Sequence, residues 1–127
     1  MELIREDDLP AGVAPRMAYL SVTRPGIGRG PHEHRDQTDV FCFLSGTFSL
    51  HLWDRRPGRP RTDETHIVGE DNPVLVTVPP GVIHGYRNVG QSDAFVVNLP
   101  DRLYAGWGKR EPVDEIRHED IGSEFAW

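Results

Sequence analysis

No stretch before residue 100 carries apolar residues at helical spacing. The chain instead breaks into short segments that alternate apolar and polar residues and stop at glycine or proline. Residues 17–23, 29–34, 40–44, 48–53, 66–69, 74–78, 83–88 and 95–99 read as strands. Ser45-Gly46-Thr47 between two of them reads as a hairpin turn. Thirteen glycines and eleven prolines supply the punctuation that so many turns require. Residues 55–65, polar and twice interrupted by proline, read as an exposed loop, and the charge-rich segment 109–120 as a surface covering. Short strands at regular intervals pack as two sheets, so the expected class is all-β, of the sandwich or jelly-roll kind. One hundred and twenty-seven residues suit a single domain, 1–127.

Charge narrows the partners. Fourteen Lys and Arg against 20 Asp and Glu give a net charge of −6, which repels phosphate backbones, so no nucleic-acid partner is expected. Cys42 is the only cysteine, which excludes an internal disulfide and a cysteine-based zinc site. No apolar run is long enough to span a membrane, and the acidic start lacks the pattern of a secretion signal. A soluble cytoplasmic protein acting on a small molecule is the expectation.

Its chemistry concentrates in histidines. In extended backbone, residues two apart share a face, so His32 and His34 point together. Asp39 shares parity with Phe41 and Phe43, and His84 shares parity with Tyr86 and Asn88. Facing strands would bring His32, His34, Asp39, His84 and Tyr86 to one interior, where buried polar groups demand partners. His51, His66 and His118 read as surface or hydrogen-bonded residues.

Gly26, His32, His34, Asp39 and Gly46 fall at the spacings of the first cupin motif, about 26–46, with Asp39 where the motif has Glu. Pro79, Gly81, His84 and Asn88 match most of the second, about 73–88, leaving a charged C-terminal extension of about 101–127. The chain therefore resembles the cupins, which implies a jelly-roll β-barrel. Among them it is similar to dTDP-4-dehydrorhamnose 3,5-epimerases and sugar-nucleotide ketoisomerases. Arg29-Gly30-Pro31-His32 resembles the epimerases' Arg-Gly-Leu-His, and 79–86 their Pro-Pro-Gly-x-x-His-Gly-Phe stretch. The catalytic tyrosine of those enzymes lies on the strand after the second motif. Val97 stands there in this chain, with Tyr86 and Tyr104 as the alternatives.

The resemblance implies an epimerase or isomerase acting on a keto sugar nucleotide without a cofactor. His32 would remove the acidic proton beside the ketone, with His34, His84 or Tyr86 as orienter or acid. Arg29 and Arg55 would bind the diphosphate, and Phe41, Phe43 and Asn88 would line the substrate pocket. An alternative is a cupin metal site, with His32, His34, Asp39 and His84 around one divalent Fe, Mn, Ni or Zn. A third is a small-molecule-binding cupin without turnover. A homodimer is expected, because small jelly rolls expose sheet edges that a second subunit can cover, with Phe125 and Trp127 as contact candidates.

Overall fold

The computed structural model describes residues 1–122, 124 and 125. Nine strands follow in order: β1 (Tyr19–Thr23), β2 (Gly28–Glu33), β3 (Asp39–Phe43), β4 (Thr47–Asp54), β5 (Thr62–Gly69), β6 (Leu75–Val78), β7 (Val82–Asn88), β8 (Ala94–Asn98) and β9 (Ile116–Arg117). Among the described residues, helix is confined to two single 3₁₀ turns, Glu6–Asp8 and Trp107–Lys109. The strands form a four-stranded sheet, β1-β8-β3-β6, and a five-stranded sheet, β5-β4-β7-β2-β9, antiparallel throughout. The expected all-β class holds. A closed barrel does not, since among the described residues no strand pairing joins the two sheets.

Apolar side chains on the inner faces hold the sheets together. Phe41, Phe43, Val78, Ala94 and Val96 come from the four-stranded sheet, and Phe48, Leu50, Val68, Val82 and Tyr86 from the five-stranded one. The Tyr86 ring meets Phe41, Phe43 and Phe48 edge-on, with centroids 5.4–5.9 Å apart, the geometry that aromatic quadrupoles favour. Among the described residues no helix is long and apolar enough to cross a membrane.

Two local readings are corrected. Residues 40–44 and 48–53 do not form a hairpin: β3 pairs with β6 and β8, whereas β4 pairs with β5 and β7. The turn 45–47 is the corner where the chain changes sheet. Gly46 takes it at φ +66, and a Cβ there would stand 2.7 Å from that of Ala94. The loop after β4 is also shorter than expected, because β5 begins at Thr62 and pairs with β4 back to Asp54. Its first six residues are exposed, so neither burial nor alternation marked them as strand.

A bulge between Arg29 and His32 matters most for function. Arg29 stands opposite Tyr86, and His32 opposite His84, so β2 spends one residue more than β7 over this stretch. The extra residue puts both Arg29 and His32 on the inner face despite their odd spacing. Gly30 makes this possible: its φ is +88, and a Cβ would lie 2.6 Å from the His84 carbonyl oxygen.

Candidate active site

His32 and His84, brought opposite each other by the bulge, meet edge-to-face with ring centroids 4.5 Å apart. His34, just beyond β2, stands 5.7 Å from each of them. Asp39 opens β3 on the facing sheet and is 1% exposed. Its Oδ2 accepts a hydrogen bond from His34 Nε2 at 2.9 Å. Its Oδ1 accepts from Gln37 Nε2 at 2.7 Å and from Asn98 Nδ2 at 3.0 Å. The predicted convergence of His32, His34, Asp39, His84 and Tyr86 on one interior is thus found.

Partners decide the protonation of each ring. His34 has an acceptor at both nitrogens, the Asp114 carbonyl at Nδ1 and the Asp39 carboxylate at Nε2, so both must carry hydrogen. Burial opposes that charge, but the Asp39 hydrogen bond and charge, with help from Asp114, lift the imidazole to about 8. Burial likewise disfavours the Asp39 anion, and the bonds and charges of the histidines outweigh it, holding the carboxyl far below its usual range. His32 has only the more modest pull of the Asp39 charge as compensation. Burial first, then the His84 and His34 charges, push it down to about 3, leaving a neutral imidazole at physiological pH. His84 donates from Nδ1 to the Val82 carbonyl at 3.0 Å. Its Nε2 lies 3.3 Å from Asp39 without a hydrogen-bond partner.

These groups open onto a cavity of about 400 Å³ between the sheets, lined also by Tyr19, Arg29, Phe41, Tyr86 and Glu115. A second cleft of about 340 Å³ adjoins it, the two sharing Tyr19, His34 and Glu115. His84 does not line the cavity; it is 1% exposed and backs His32. Arg29 sits at the rim, donating to the Val22 carbonyl, with no carboxylate partner among the described residues. Burial raises the Tyr86 hydroxyl to about 12 against the opposing pull of Arg29 and Ser21.

Three residues expected at the site lie elsewhere. Arg55 bonds the Thr62 carbonyl and Asp63 on the β4–β5 hairpin and stacks over Phe125. Asn88 clamps a turn at the far end, donating to the Thr23 and Ser92 carbonyls. Phe43 lies in the core. Phe125 packs on Trp53 and His118 of its own chain, while Trp127 falls outside the described residues.

The sequence reading missed Tyr19, Gln37, Asn98 and the segment at 114–115. Asp114 does more than cover surface: its carboxylate accepts from the backbone N–H groups of Arg35, Asp36 and Gln37, fixing the turn that aims His34. Glu115 Oε1 stands 3.6 Å from His32 Nδ1. Ligand-capable nitrogens of His32, His34 and His84 lie within 4.8 Å of one another.

Between two antiparallel sheets, three imidazoles thus meet a buried carboxylate, an arrangement that can hold and move a proton. The chain belongs to the polysaccharide biosynthesis C-terminal domain family, whose profile matches residues 11–106. It is similar to the probable low-salt glycan biosynthesis epimerase of Haloferax volcanii, at 31% identity over 82% of this chain and 69% of that protein. It is also similar to the spore coat polysaccharide biosynthesis protein SpsL of Bacillus subtilis, at 33% identity over 99% of this chain and 83% of that protein. Among solved structures, a dTDP sugar isomerase from Desulfovibrio desulfuricans shares the fold, with a TM-score of 0.82 at 23% identity over 99% of this chain and 79% of the other. Solved dTDP-4-dehydrorhamnose 3,5-epimerases share it too.

Proposed function

We propose that the chain is a single cupin domain of jelly-roll type that epimerises or isomerises a keto sugar nucleotide by acid–base chemistry. One observation carries the reading: His32 faces a solvent-connected cavity beside His34, whose two ring nitrogens both meet acceptors, the Asp39 carboxylate and the Asp114 carbonyl. A proton next to a ketone is acidic enough for His32 to remove, and the resulting enolate is stabilised by the nearby His34 cation. Arg29, unpaired with acid at the rim, is placed to bind a diphosphate. The similar proteins described as an epimerase and a dTDP sugar isomerase support the same class of reaction. Incubation with dTDP-4-keto-6-deoxyglucose is expected to yield a stereoisomer or ketoisomer detectable by NMR. Unchanged keto sugar nucleotides across a panel of nucleoside and hexose variants would defeat the reading.

A second reading, one divalent metal on His32, His34 and His84, is favoured by their mutual span and by the unpartnered Nε2 of His84. Against it, both nitrogens of His34 already face acceptors, so an ion would have to break the Asp39 pair to gain a lone pair. Such an ion would act as a Lewis acid toward the sugar carbonyl. Elemental analysis of protein purified without a histidine tag is expected to show far less than one metal per chain. A stoichiometric metal lost in His84→Ala would establish the second reading instead.

A further inference from the structure

We infer that Tyr19 delivers the proton to the substrate face opposite His32, a role that rests on the epimerase reading above. Inversion of a carbon requires removal of a proton from one face and delivery to the other, so the two groups must stand on opposite walls of the pocket. His32 comes from β2 in the five-stranded sheet, while Tyr19 comes from β1 in the four-stranded sheet. Both line the same cavity. The chain has three tyrosines, and topology separates them. Tyr86, on β7 and in register with Arg29 of β2, belongs to the same wall as His32. Tyr104 lines only the adjoining cleft. Val97, at the position expected for a tyrosine on β8, pairs with Leu20 and Cys42 on the outward parity of its strand; the buried inward neighbours are Val96 and Asn98.

The Tyr19 hydroxyl is held in a particular way. Asn98 stands opposite it in register and donates Nδ2–H to the phenol oxygen at 3.0 Å, while the same amide donates to Asp39. With the oxygen occupied as acceptor and no acceptor for the phenol hydrogen among the described residues, that hydrogen is free to point into the cavity. Tyr19 is 42% exposed as a residue, so a substrate can reach it. Burial of its hydroxyl, then the Asp39 charge, raises its pKa against the Asn98 bond, which keeps it in the donor form. The step balances without redox change. His32 Nε2 or Nδ1 takes the proton, and the C–H electron pair becomes the enolate. The enolate carbon then takes the Tyr19 proton on the other face as the ketone re-forms. The phenolate regains a proton from water, and the His32 imidazolium releases one.

The test follows inversion and isotope exchange together in D₂O with dTDP-4-keto-6-deoxyglucose. In Tyr19→Phe, His32 still removes the proton and returns deuterium to the same face. Exchange into recovered substrate is expected to stay within a few-fold of the unmodified protein, while inverted product falls by about 100-fold or more. Normal inversion by Y19F, or loss of inversion in Tyr104→Phe but not in Y19F, would overturn the inference. An unmodified protein that neither inverts nor exchanges any keto sugar nucleotide defeats the epimerase reading itself, so the two failures are distinguishable. If Y19F does not fold, nitration of the intact protein, with the modified tyrosine assigned by mass spectrometry, makes the phenol more acidic and is expected to shift the alkaline loss of inversion to lower pH while exchange keeps its profile. An inversion profile unmoved by full nitration of Tyr19 would then overturn it.

Discussion

Asp39→Asn is expected to cost about 3–5 kcal/mol of folding stability, the range for removing one partner of a buried charged pair. Three donors converge on this carboxylate, from His34, Gln37 and Asn98. An amide offers one oxygen in place of two and turns its own N–H groups toward donors, so at least one buried N–H loses its acceptor. The pH dependence should change with it. His34 is raised to about 8 from the ordinary histidine value of 6.5, so its folded form binds the proton more tightly than the unfolded chain. That contribution, about 2 kcal/mol, is fully present below pH 6.5 and is lost as pH rises through about 8. Asp39 acts in the opposite sense, its stabilisation present above the ordinary carboxylate range and lost in acid. Denaturant titrations of the unmodified protein should show stability declining between pH 6.5 and about 8. In D39N that decline should vanish, and an unchanged alkaline slope would disprove the His34–Asp39 pair as its source.

His32→Ala is expected to lower turnover by about 10²–10⁴-fold, the usual worth of a positioned general base. The loss should fall on kcat, with KM little changed, because the Arg29 rim and the cavity walls remain. Folding should survive, since His32 makes no side-chain hydrogen bond within normal length among the described residues and stands 3.6 Å from Glu115. With no hydrogen bond broken and no charge removed at neutral pH, the variant should stay folded and melt cooperatively. Steady-state kinetics and thermal melting together check this: a stable, folded H32A with parental kcat would remove His32 from the chemistry.

Strand parity carried much of this site. His32, His34, Asp39 and Tyr86 could be placed together because period two fixes which side chains share a face, and because a buried histidine needs neighbours. What parity could not supply was long-range pairing. Tyr19 and Asn98 look like ordinary strand residues until β1 is laid against β8, which puts them opposite each other. Asp114 and Glu115 lie in a charged, aperiodic stretch. They are carried to the site by β9 pairing with β2 and by the His118 N–H bonding the Pro31 carbonyl. The 45–47 turn misled for a related reason, since a hairpin and a corner between sheets use the same short glycine-bearing sequence. Arg55 resembled a phosphate ligand by its neighbours alone, yet it ends on the β4–β5 hairpin, where Asp63 satisfies its charge.

Deuterium wash-in at the carbon beside the ketone, followed by NMR in D₂O at neutral pH, tests the account most directly. A keto sugar nucleotide held with the unmodified protein should gain deuterium there far faster than in buffer, and His32→Ala should return the rate to that of buffer. Wash-in that persists undiminished in folded H32A, or none at all with the unmodified protein while the sugar nucleotide is demonstrably bound, would contradict it.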